Sequence, residues 1–151
     1  MNDKQTKSGM KHQVANELRA APILRVVSRA CLVSPYFVSG AVKALNFEEG
    51  LMEMRQFNLE PASAILMSTI AIQLVASSLI IGGRMVMTAA GTLIVFTILA
   101  TYVAHDFWSI DDTVARSHQA NAFLANLGLA GGLAVLAGAV REQGKERRRI
   151  I

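Results

Sequence analysis

Pro61–Gly83 reads PASAILMSTIAIQLVASSLIIGG, a run without one charged residue that opens on proline and closes on two glycines. About 20 apolar residues in a helix suffice to cross a bilayer core of about 30 Å. The apolar side chains surround the helix instead of forming one stripe, a pattern suited to burial in lipid and not to the surface of a soluble bundle. On the C-terminal side, Met85–Ala104 carries no charge, and neither does Ser117–Val140 if His118 is neutral. Three membrane-crossing helices follow. On the N-terminal side, Ile23–Leu45 is a weaker candidate, because only Ala30–Val42 is strictly charge-free. Thirteen residues give only about 20 Å, so this helix crosses by burying or snorkelling Arg29 or Lys43. The segregation of the apolar residues carries this reading; the 52% hydrophobic total is close to that of ordinary globular chains.

The expected fold is all-α, a four-transmembrane-helix bundle with helices at about 23–45, 61–83, 85–104 and 118–140. A polar segment, 1–22, precedes it and a basic tail, 141–151, follows, read as a solvated end. A cleavable signal peptide is the rival reading of the first segment, with Ser39-Gly40-Ala41 as the small residues at a cleavage site. The polar stretch before it is long for such a signal. Orientation comes from lysine and arginine, which collect at cytoplasmic helix ends. Twelve of the fifteen lie in the N-terminal segment and start of the first helix, at Arg84, or in the tail, whereas only Lys43, Arg55 and Arg116 fall on the other side. That other side carries Glu48, Glu49, Glu53, Glu60, Asp106, Asp111 and Asp112. Both termini are therefore expected in the cytoplasm. The basic balance is a topology signal; no aromatic-interleaved basic patch accompanies it, so nucleic acid is not an expected partner.

Gly82-Gly83-Arg84 is a tight turn that makes the second and third membrane helices antiparallel neighbours. In the first outer loop, Phe47, Leu51 and Met54 recur at helical spacing, which predicts a short interfacial helix or an amphipathic connector.

Threading the helices through a bilayer brings polar residues to two depths. The outer layer holds Lys43, His105, Asp106, Trp108 and Asn126; the inner holds Arg29 and Gln73, whose depths a long guanidinium can bridge. Ionisable residues inside membranes usually face a bundle interior and find partners there. Each has a plainer reading as well. Trp108 suits an aromatic belt, Lys43 and Arg25 can snorkel, and Asn126 and Gln73 serve as interhelical hydrogen-bond glue. Gly128-x-x-x-Gly132 is a close-packing face, and Pro35 bends the first helix, with Ser34 or a neighbour satisfying the released carbonyl. Cys31 is the only cysteine, so the chain alone has no dithiol chemistry, and His12, His105 and His118 share no face at metal-ligand spacing. No metal or haem site is expected.

Arg29, Gly40 and Lys43 in the first helix, Pro61 before the second, Gly82-Gly83-Arg84 after it, His105-Asp106-Phe107-Trp108 closing the third, and Phe123-Leu-Ala-Asn126-Leu-Gly in the fourth together resemble the DoxX family of small four-helix membrane proteins. The resemblance covers about Arg25 to Ala139. Gln73 stands where members often carry glutamate, and Ala125 where a lysine commonly precedes the asparagine. Some relatives are subunits of quinone-reducing sulfur-oxidising complexes, and others are associated with redox-stress proteins. The resemblance thus implies a subunit of a quinone-linked redox assembly in the inner membrane, with a redox protein or a second copy of the chain as partner. In that reading His105 exchanges the proton, Asp106 orients its ring, and Lys43, Asn126 and Trp108 form a quinone or small-ligand site. Arg29 and Gln73 form a structural polar pair. The alternatives are a membrane scaffold packed through the fourth helix and a small transporter.

Overall fold

The computed structural model describes the backbone of residues 3–104 and 110–149, with side chains for 22–104 and 110–145. Five helices form in the order α1 (Asp3–Leu45), α2 (Phe47–Gln56), α3 (Ala62–Ile81), α4 (Val86–Ala104) and α5 (Thr113–Arg149), with no strand among the described residues. Among the described residues three helices are long and apolar enough to cross a membrane: Ala62–Ile81, Val86–Ala104 and the Thr113–Lys145 part of α5. In their most apolar windows only 28, 33 and 11% of residues are buried within the protein. Such surface is tolerated only against lipid or a partner, and the chain is a multi-pass membrane protein of helical build.

Helix boundaries extend beyond those expected from apolar runs. α1 starts at Asp3 and α5 ends at Arg149, so the polar flanks at both ends are helical continuations. Hydropathy marks where a helix enters lipid, whereas the backbone hydrogen bonds continue until a stop signal intervenes. α5 also starts at Thr113, ahead of the apolar run. The Asp112 carboxylate accepts from the Ala115 amide at 2.7 Å, and Arg116 donates to the carbonyls of Ile110 (2.8 Å) and Asp111 (3.2 Å), closing the loop onto the first turn. Glu60 serves α3 likewise, its Oε2 accepting from the Ala62 amide at 2.9 Å. Within α1, Pro35 has no N–H to offer the Cys31 carbonyl, and Ser34 Oγ donates to that carbonyl at 2.9 Å.

The turn between α3 and α4 follows from its glycines. Gly83 takes φ +69°, a left-handed conformation that a side chain would strain, and the amides of Gly82, Gly83 and Arg84 bond back to Ser78, Ile80 and Leu79 at 2.9–3.1 Å. α1 then lies antiparallel along α3: Arg29 reaches Gly83 while Gly40 sits on Gln73 and Leu74. A Cβ on Gly40 would stand 3.0 Å from Gln73 Cβ and 3.1 Å from Leu74 Cγ, so this glycine sets how closely the two helices approach.

The main core joins Val33 and Tyr36 of α1, Ala76 and Ile80 of α3, Ala90 and Leu93 of α4, and Leu133 of α5, in the half of the bundle nearer the Gly82–Arg84 turn. A smaller cluster, Met54, Ala62 and Leu66, closes the other end beneath α2. The short helix expected in the first outer loop is present as α2, and Phe47 and Leu51 pack on this cluster. Gly50 of α2 presses on Leu66, whose Cδ1 would be 2.8 Å from an added Cβ.

Candidate functional site

Away from the main core, the helices separate around a cavity of about 630 Å³. Its walls come from the α2-proximal halves of α1, α3 and α4, together with α2 and the Asn126–Leu129 turn of α5. The lining follows helical spacing. Tyr36, Ser39 and Lys43 succeed one another on α1, Thr69 and Gln73 on α3, and Thr97 and Thr101 on α4, at steps of three or four residues. Ile65, Ile72, Phe96, Leu99 and Leu129 supply apolar wall between these polar groups. A mostly apolar hollow of a few hundred Å³ with a small number of polar atoms is the usual form of a small-molecule site.

The polar atoms fall into satisfied and unsatisfied sets. Thr97 Oγ1 donates its one hydrogen to the Leu93 carbonyl at 2.6 Å, so the Tyr36 phenol donates to Thr97 Oγ1 at 2.7 Å. At the α2 end, Lys43 Nζ and Glu53 Oε2 form an ion pair of 2.6 Å that ties α2 to α1. Deeper in, Gln73 Nε2 donates to Ser39 Oγ at 3.3 Å, while Gln73 Oε1 and Thr101 Oγ1 are buried without a hydrogen-bond partner among the described residues. Buried polar atoms are nearly always bonded. Two orphans on the wall of one cavity suit a ligand that brings its own polar groups.

The structure brings Lys43 and Asn126 to this one cavity. Arg29 and Gln73 are not each other's partners. The guanidinium lies against Gly83 at the end of α3, and the carboxamide stands one half-helix away beside Ser39. His105, Asp106 and Trp108 lie outside the described residues; α4 ends at Ala104, which is on the cavity wall. Sequence reading passed over Tyr36, Ser39, Glu53, Thr97 and Thr101. Their signal was a polar residue every three or four positions within an apolar helix. Glu53 carried a different one, an acid on a short amphipathic helix near a lysine that needed a partner. Among the described residues no group of three His, Cys, Asp or Glu is placed to hold a metal ion.

No curated protein and no solved structure matches the chain. The family model for DoxX matches residues 24–106, from the start of the apolar part of α1 to just past α4, and so leaves α5 outside the match. With more than half of its length so matched, the chain belongs to the DoxX family.

Proposed function

We propose that this protein is the integral subunit of a quinone-linked redox assembly, and that its cavity holds the quinone head group. The observation that carries the reading is the pair of unpartnered polar atoms, Gln73 Oε1 and Thr101 Oγ1, on the wall of one mostly apolar cavity. The residues fit such a group: the volume accommodates a substituted ring and the start of an isoprenoid chain, and the polar atoms are few. A bound quinone supplies a carrier for two electrons and two protons. The chain's own part is to bind and orient. Thr101 O–H donates to a carbonyl oxygen, Gln73 Oε1 accepts from a hydroxyl, and the Ile72 and Phe96 walls exclude water. Asn126 and Trp108 complete the binding site, and Lys43 holds a second ring oxygen or keeps Glu53 at the mouth. His105 and Asp106, which directly follow the cavity-lining Ala104, exchange protons with the outer aqueous phase.

In this reading α1 crosses the bilayer with α3, α4 and α5, supported by its antiparallel register along α3 from Gly83 to Gln73. Both termini lie in the cytoplasm and the membrane is the inner, or plasma, membrane; the support is the excess of lysine and arginine on the termini and on the Gly82–Arg84 turn.

Quenching of the single tryptophan, Trp108, by a short-chain ubiquinone in nanodiscs tests the reading. Saturable quenching is expected. The Gln73→Leu and Thr101→Val double variant should weaken it at least about tenfold, since one hydrogen bond contributes about 1 kcal/mol. Quenching that is absent, or equal in the double variant, sinks the quinone site. His105→Ala, measured with co-purified partners, should slow quinone reduction without loss of binding.

A second reading, a scaffold docked through α5, rests on Gly128, Gly131 and Gly138. No neighbour stands within 4 Å of where their Cβ atoms would be, so this face has no partner helix among the described residues. Gly131→Leu would then break a complex that Gln73→Leu leaves intact.

A further inference from the structure

Arg29 is a partly buried cation that no described residue neutralises. Its guanidinium stands at the α3–α4 turn, Nη1 lying 2.7 Å from the place a Cβ on Gly83 would occupy. Even so, Arg29 takes part in no hydrogen bond or ion pair among the described residues. The carboxylates are elsewhere. Those of α2, of Glu60 and of Asp111 and Asp112 before α5 belong to the opposite end of the bundle, and Glu142 is engaged with Lys145 at 2.9 Å. Asp3, Glu17 and Glu146 lie outside the described side chains. A cation withdrawn from water into a membrane bundle requires an anion, and none of the described carboxylates is placed to supply it.

We infer that the junction of α1 with the α3–α4 turn binds the phosphate of an anionic phospholipid, in the leaflet on the side of that turn. Depth supports this partner: the turn marks where two apolar helices end, so the guanidinium stands at head-group level. Arg84, next to Gly83, is exposed, and Arg25 lies one turn before Arg29 on the same face of α1, which concentrates positive charge at this level. A planar guanidinium takes a phosphate through two parallel hydrogen bonds. Cations, not backbone, do the recognising, because the turn's amides are spent on Ser78, Leu79 and Ile80. Apolar surface for an acyl chain adjoins the turn, with Met85 and Met87 67% and 46% exposed. Gly83 is part of the site, since its missing side chain is what lets the guanidinium lie there.

The full chain, purified in a neutral detergent, is titrated with dioleoyl phosphatidylglycerol, dioleoyl phosphatidylcholine or inorganic phosphate. Melting temperature and lipid retention by native mass spectrometry are read. Phosphatidylglycerol should be retained and should raise the melting temperature, while the other two should not. Arg29→Gln should weaken that binding about tenfold, and Arg147→Gln with Arg148→Gln in the tail should leave it unchanged. Equal binding by Arg29→Gln, equal loss in the tail variant, or equal stabilisation by inorganic phosphate each overturns the site. Should Arg29→Gln not fold, Arg84→Gln decides: weaker phosphatidylglycerol binding supports the site and unchanged binding overturns it.

Discussion

Gln73 concentrates the residue-scale physics of this protein. Its carboxamide sits in an apolar helix, 5% exposed, and only one of its two ends is bonded. An unbonded buried acceptor costs about 1–3 kcal/mol. Gln73→Leu, close in volume and without polar atoms, should therefore leave the melting temperature in detergent unchanged or raise it, while ligand binding falls. A marked loss of stability would mean that the carboxamide serves packing and not a ligand. Tyr36 is the contrasting case, because its phenol is bonded to Thr97 at 2.7 Å inside the core. Tyr36→Phe removes that bond and orphans little else, since Thr97 keeps its bond to Leu93. A loss of about 1 kcal/mol is expected, measured as a lower thermal midpoint.

At the scale of elements, close approach outweighs charge. The Lys43–Glu53 pair joins α1 to α2, yet the Glu53 side chain is 43% exposed, and pairs so open to water contribute at most about 1 kcal/mol. Glu53→Gln should lower the thermal midpoint only slightly and do so less at high salt. Gly40 behaves differently. Gln73 Cβ and Leu74 Cγ leave no room for a side chain there, so Gly40→Val forces α1 off α3 and should cost about 1–3 kcal/mol. The same displacement widens the cavity between Ser39 and Gln73, so ligand affinity should fall together with stability. Comparing the two variants separates a latch made by charge from a seam made by small residues.

The whole molecule is a bundle packed at one end and hollow at the other. The core from Val33 to Leu93 fills the half next to the Gly82–Arg84 turn, and the cavity occupies the half beneath α2. Under the proposed topology the hollow half faces away from the cytoplasm. Single cysteines introduced at Ser8, Asn58 and Gly144 in a Cys31→Ser background report this directly. Ser8→Cys and Gly144→Cys should react with a membrane-impermeant thiol reagent only from the cytoplasmic side, and Asn58→Cys only from the other. Labelling of Ser8→Cys and Asn58→Cys from the same side would remove α1 from the set of crossing helices.

The sequence by itself determined that the chain is helical, that it carries helices apolar enough to cross a membrane, and that Gly82–Arg84 reverses it, because hydropathy, helix length and a left-handed glycine are local properties. It also sufficed for the repair of Pro35 by Ser34, which needs only the preceding turn. Lys43 and Asn126 could be assigned one depth from sequence, since depth is a count along a helix. Azimuth is not such a count. Which face of α4 carries Thr97 and Thr101 toward Tyr36 and Gln73, why Arg29 meets Gly83 and not Gln73, and where the helices part to leave a cavity all depend on how each helix is rotated against its neighbours. That rotation is set by contacts between residues far apart in the chain, Gly40 on Gln73 and Gly50 on Leu66 among them, and only the tertiary structure decides it.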